Sequence, residues 1–147
     1  TIMSEIEAKL AKNPLIYKLL SLHLLPEDYA VFGSGPMFAH GIKESVRDLD
    51  VIARGKAWEK ARQLGKTEET KLKFGSVITL FGGEIEIYDS WVPAGKWDIN
   101  RLIGTSDVME GIRFVKLEDV LRWKRMRNSL KDIEHIKLIE NYFANNL

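Results

Sequence analysis

Residues 31–51, VFGSGPMFAHGIKESVRDLDV, constrain the fold more than any other stretch of the chain. Tyr29, Ala30, Val31 and Phe32 form a short apolar run closed by Gly33, the pattern of a buried strand. Gly33, Ser34, Gly35 and Pro36 break that run, and proline is well placed in the first turn of a helix. A short helix and a loop follow. The chain then enters a second strand, in which Asp48 and Asp50 flank Leu49 ahead of Val51, Ile52 and Ala53. Residues i and i+2 of a strand share a face. Both carboxylates are therefore expected on one face, with Leu49 and Val51 toward the core.

Two like charges held side by side repel, and one tends to stay protonated. A divalent cation removes the conflict. Mg²⁺ prefers oxygen ligands, often one or two carboxylates together with substrate phosphates. The turn after the first strand offers backbone N–H groups at a helix N-terminus, a seat for phosphate. One element would hold phosphate and the other the metal. An isolated Asp-x-Asp is more often a solvated strand end. The Gly-Ser turn before it gives the pair its meaning.

Gly33-Ser34, thirteen intervening residues, then Asp48-Leu49-Asp50-Val51 resembles the signature of the nucleotidyltransferase superfamily, the DNA polymerase beta-like fold. The spacing and the Arg-Asp-Leu-Asp run resemble its small bacterial and archaeal branches. These include the lincosamide-type antibiotic nucleotidyltransferases and the nucleotidyltransferase toxins of abortive-infection systems. The resemblance implies transfer of a nucleoside monophosphate from a nucleoside triphosphate such as ATP to an acceptor hydroxyl on a small molecule, RNA or protein. It implies that Gly33 and Ser34 hold the phosphates and that carboxylates hold Mg²⁺ or Mn²⁺. It also asks for a third carboxylate on a later strand, set between apolar residues.

Residues 77–81, Gly82-Gly83 and residues 84–88 read as a hairpin. In the second arm Ile85 and Ile87 would face one side, and Glu84, Glu86 and Tyr88 the other. Glu86 best matches the third acid, with Glu84 and Asp89 as competitors. The catalytic and metal set is thus expected to be Asp48, Asp50 and Glu86. The alternative reading of these glutamates is a solvated edge strand.

The remaining elements follow from local signals. Ser4 with Glu7 reads as a capping box. Asn13-Pro14 opens a helix whose Leu15, Ile16, Leu19, Leu20 and Leu22 recur at helical spacing. A helix over 57–64 ends at Gly65. Residues 66–73, KTEETKLK, read as a charged loop or frayed edge. A short helix is expected from Lys96. Trp91 and Trp97 are either core or a stacking surface. Residues 109–115 suggest a last strand or hairpin. A helical pair closes the chain from Leu117, with Lys124 in its first helix and Lys131-Asp132 opening the second. This too is similar to the family branch. Ile133, Ile136, Ile139 and Phe143 are expected to form the inward stripe of the last helix. Arg122, Lys124, Arg125 and Arg127 would either reach a triphosphate or nucleic acid, or lie on a solvated face with their stems on the core. His40 could approach a phosphate. Arg47 is expected opposite Asp48.

Composition bounds the function. The chain has 147 residues, enough for one domain with a real core, and the reading assigns 1–25 to N-terminal helices, 26–115 to the sheet and 116–147 to the helical pair. Basic and acidic residues number 22 and 21, so no global field favours nucleic acid or acidic lipid. There is no cysteine, hence no thiolate site or disulfide framework. No apolar run has membrane length and no secretory pattern is seen. The expectation is a cytoplasmic α/β (α+β) protein with no membrane partner. A non-catalytic binding or toxin–antitoxin component that keeps the fold is the competing reading.

Overall fold

The structure is a computed structural model and describes residues 9–93 and 95–146. The capping box expected at Ser4 and Glu7 lies outside the described residues.

The apolar runs form one mixed sheet. Its strands are β1 (Tyr29–Val31), β2 (Leu49–Ala53), β3 (Thr67–Glu69), β4 (Ser76–Leu80), β5 (Ile85–Tyr88), β6 (Asp107–Met109) and β7 (Ile112–Phe114). They lie in the order β3-β4-β5-β2-β1-β7-β6. β1 runs antiparallel to β2, whereas β2 and β5 are parallel neighbours, with Asp50 opposite Glu86. The expected hairpin is present as β4 and β5, with Thr79 opposite Glu86 and Val77 opposite Tyr88. Phe81, Gly82 and Gly83 turn it with φ of 53°, 65° and 100°, a left-handed path that glycine takes without a Cβ penalty. Residues 66–73 are not merely a loop: Thr67–Glu69 pairs with β4 as an exposed edge strand. Its charge fits an edge, where carboxylates discourage pairing with another chain.

Helices cover both faces, and strand alternation sorts the side chains between them. Val31, Leu49, Val51, Ile85 and Ile87 pack in one core with α1 (Pro14–Ser21) and α3 (Gly55–Leu64). Asn13 caps α1, its Oδ1 accepting from the Leu15 and Ile16 amides at 2.9 and 3.2 Å. Ala30, Phe32 and Ile52 face the other way, against α4 (Ile99–Gly104), α5 (Leu117–Arg127) and α6 (Leu130–Asn145). The short α2 (Gly35–Ala39) joins β1 to the loop before β2. The helix expected from Lys96 starts at Ile99, because Asp98 caps it by accepting from the Arg101 amide.

The second core is aromatic. Phe32 stacks on Trp91 with centroids 4.5 Å apart, and Trp97 and Trp123 close on it at 5.8 and 5.5 Å. Trp91 and Trp97 are therefore core residues, buried rather than presented for stacking.

The C-terminal helical pair is present, but its inward stripe differs from the expected one. Asn128, in a left-handed conformation, ends α5, and Ser129 with Asp132 forms a reciprocal capping box on α6. Asp132, His135 and Ile139 point inward at i, i+3 and i+7. Ile133 lies one residue around the helix and is exposed, while Ile136 and Phe143 are half-buried. The polar positions face inward because Lys124 of α5 is fully buried opposite them. Its Nζ lies 2.9 Å from His135 Nδ1 and 3.7 Å from Asp132 Oδ1.

Candidate active site

Asp48 ends the loop before β2, and Asp50 is its second residue. Asp50 shares the sheet face of Ile52, so it points toward the α5–α6 side. Because β2 and β5 are in register at Asp50 and Glu86, these two side chains are lateral neighbours on that face. Burial raises the Asp50 carboxyl from its ordinary 3.8 to about 7. The charges of Asp48 and Glu86 add to this, and Arg127 and Lys131 oppose it. Tyr88, two residues beyond Glu86, is held well above its usual value by burial and then by Asp50 and Glu86. The three acids thus feel one another across the end of the sheet.

The competing acids are engaged elsewhere. Glu84 precedes β5 and turns to the opposite face, where it pairs with Lys18 of α1. Asp89 accepts from the Ser76 amide at 2.9 Å and from the Ser90 hydroxyl at 3.2 Å. Of the three candidates, Glu86 stands beside Asp50.

Gly33 is fixed by geometry. Its φ is +61°, and a Cβ there would lie 2.8 Å from Asp50 Oδ2. The turn therefore runs directly against the carboxylate. The expected helix N-terminus is less of a phosphate seat than the sequence suggested. α2 has only five residues, the Gly35 amide donates to Phe32 O, and Pro36 has no N–H. The positive charge comes instead from side chains. Ser34, Lys43, Ser45, Arg47, Asp48 and Lys131 line a cleft of about 460 Å³. Arg47 does not oppose Asp48 as expected, because it sits in the loop before β2, where strand alternation does not apply. Burial lowers the Lys43 ammonium, with Lys131 and Arg47 adding repulsion. None of these three cations forms an ion pair among the described residues.

The basic cluster of α5 divides. Arg122 pairs with Asp119 and lies 4.4 Å from the Trp97 ring centroid, and Arg125 pairs with Glu140. Neither faces the cleft. Lys124 is not solvated at all: burial pushes its ammonium down to about 8, with Arg127 next in effect. Arg127 donates to Asp132 at 2.8 and 2.6 Å. Burial works to raise Asp132, but the hydrogen bonds from Arg127 and Ser129 outweigh it and hold the carboxyl well below its usual range. His135 is driven down to about 4 by burial and then by Lys124, so it is neutral at pH 7 and can accept from Lys124. This network anchors the start of α6, which carries Lys131 into the cleft. His40 lies 3.6 Å from Asp107 and edge-on to Tyr142, away from the residues that line the cleft.

Sequence reasoning missed Lys43 and the cleft-facing role of Arg47 and Lys131. Only the clustering of Lys43 and Arg47 just before Asp48 could have signalled them. Among the described residues no three His, Cys, Asp or Glu side chains stand as a ready-made metal-ligand set. By chemistry the donors are of the kind Mg²⁺ takes: Asp50, which has no ion-pair partner among the described residues, feels the charges of Asp48 and Glu86, and all three offer hard oxygen. In comparisons with family models, curated proteins and solved structures, nothing matched this chain.

Proposed function

We propose that this chain is a metal-dependent nucleotidyltransferase. It would move a nucleoside monophosphate from a nucleoside triphosphate to an acceptor hydroxyl. One observation carries the reading: Lys43, Arg47 and Lys131, which form no ion pair among the described residues, line a cleft with Asp48, and Asp50 and Glu86 stand side by side next to it, the charges of Asp48 and Glu86 both raising the Asp50 carboxyl. Each cluster is unfavourable alone. A metal–triphosphate complex complements both, since phosphate oxygens suit Lys43, Arg47 and Lys131 while the metal suits Asp48, Asp50 and Glu86.

In this reading Ser34 donates its hydroxyl to a phosphate oxygen, and Gly33 allows the backbone to approach. A bound Mg²⁺ would neutralise the phosphate oxygens around the reacting phosphorus. Lys43, Arg47 and Lys131 orient the triphosphate and stabilise the departing pyrophosphate. In the same reading Glu86, on the side away from the cations, takes the acceptor's proton.

Calorimetric titration with each nucleoside triphosphate, in Mg²⁺ and in EDTA, tests the binding step. The expected result is binding that needs the metal and disappears in Asp50→Asn. Equal binding in EDTA removes the metal role. Metal-dependent binding with no transfer to any acceptor would instead favour a non-catalytic nucleotide-binding protein.

A further inference from the structure

A second groove, of about 510 Å³, opens on the other side of the carboxylates. The sheet register places it. Thr79, Glu86 and Asp50 form one row across β4, β5 and β2, and Glu68, Val77 and Tyr88 form the next. The cations lie beyond Asp48, and the groove lies beyond Glu86, toward the β3 edge. Phe74 and Tyr88 stack on each other at 5.9 Å and 22°, and both half-buried residues line the groove. The loop that carries Phe74 is tied down: Thr70 Oγ1 accepts from the Phe74 amide at 3.0 Å, and the Thr70 amide donates to Gly75 O. The charged lining is Glu68, Glu69 and Glu86 against Lys71, with Lys66 reaching Glu68 only at 4.0 Å.

In-line displacement at phosphorus puts the attacking and leaving oxygens on opposite sides of the reacting atom. If pyrophosphate leaves toward Lys43, Arg47 and Lys131, the acceptor must arrive from the Glu86 side. We propose that this groove seats the acceptor, and that the acceptor is a cationic, hydroxyl-bearing small molecule with a flat apolar body. This rests on the transferase reading above. A bond forms from the acceptor oxygen to the α-phosphorus. The bond from that phosphorus to the β-phosphate oxygen breaks, and pyrophosphate leaves with the electron pair. The hydroxyl proton passes to Glu86. A nucleic-acid acceptor would bring phosphodiester charge against three carboxylates, whereas a cation is drawn to them. The aromatic wall that Phe74 and Tyr88 give the groove suits a flat apolar body.

Three phenols of one shape and different charge test the groove: tyramine, 4-ethylphenol and 4-hydroxyphenylacetate. Each is titrated into the full chain without nucleotide, and amide shifts are followed by NMR. Tyramine is expected to bind tightest and the anion weakest, ~10-fold apart or more, with shifts centred on residues 68–74 and Tyr88. Phe74→Ala should weaken all three. Glu68→Lys with Glu69→Lys should reverse the order. The proposal is overturned if the anion binds tightest, if the double variant keeps the order, or if shifts map elsewhere. It is also overturned if an RNA hexamer moves the same amides at lower concentration than tyramine. Adding Mg²⁺ with ATP, CTP, GTP or UTP in turn to the same samples separates the two readings. Nucleotide binding with the wrong phenol order sinks this inference alone. The right order with no response to any nucleoside triphosphate sinks the transferase reading and removes the acceptor role.

Discussion

Replacing Asp50 by asparagine should stabilise the protein without ligand, and by an amount that depends on pH. Burial and two like charges raise the Asp50 carboxyl from 3.8 to about 7. Between those values the folded protein holds a proton that the unfolded chain has released. Stability is therefore full below pH 3.8 and falls as pH rises through 7. A shift of that size corresponds to at most ~4 kcal/mol, and screening of a half-buried carboxylate trims it to ~2–4 kcal/mol. Asparagine keeps the shape and cannot ionise. At pH 8 Asp50→Asn should melt ~6–12 °C above wild type, given ~3 °C per kcal/mol for a chain of this length. At pH 4 the two should melt together. Calorimetric scans of both proteins from pH 4 to 8, in EDTA, read the difference directly. Parallel curves, or a variant less stable than wild type at pH 8, would make Asp50 a structural aspartate and not a strained one.

Three further outcomes follow from other contacts. Lys43→Met with Lys131→Met should weaken triphosphate binding by calorimetry, each lost charged hydrogen bond contributing ~1.5–3 kcal/mol, while leaving the fold intact. Gly33→Ala should cost ~1–2 kcal/mol in urea unfolding and reduce nucleotide affinity, because φ is +61° and the new Cβ meets Asp50 Oδ2. Wild-type behaviour in both assays would show that the close approach is not needed. Asp132→Asn should cost ~3–5 kcal/mol in urea unfolding, since it strips the partner from buried Lys124 and from Arg127 and weakens the α6 cap.

Features set by short-range chemistry were legible in the sequence. The Asn13 cap, the Gly82-Gly83 hairpin, the apolar runs of β1 and β2 and the alternation around Glu86 all encode their own conformation. Alternation does not choose between Glu84 and Glu86, which it sets on one face; the register of β5 on β2 puts Glu86 opposite Asp50, and Lys18 of α1 draws Glu84 away. Features set by distant partners were not legible. Lys124 reads as surface, and only the inward turn of Asp132 and His135 on the next helix makes its burial tolerable. The same turn displaces Ile133 to solvent. Trp91 and Trp97 carry no signal that separates a core ring from a stacking ring, and Phe32 decides it. Lys43 and Lys131 are far apart in the chain, and they meet only because the start of α6 is brought over the loop before β2. Arg47 shares the cleft with Asp48 because the strand, and with it the alternation, begins only at Leu49.

The proposed reaction would move a nucleoside monophosphate from a triphosphate to an acceptor. Its most direct test pairs two labels. The protein is incubated with Mg²⁺ and ATP, CTP, GTP or UTP, labelled at either the α- or the γ-phosphate, and with candidate small molecules, RNA or protein. The α-label is expected to enter an acceptor while the γ-label appears in pyrophosphate, and Asp50→Asn is expected to abolish both. Release of γ-label as inorganic phosphate, transfer of γ-label to an acceptor, or equal transfer by Asp50→Asn would contradict it.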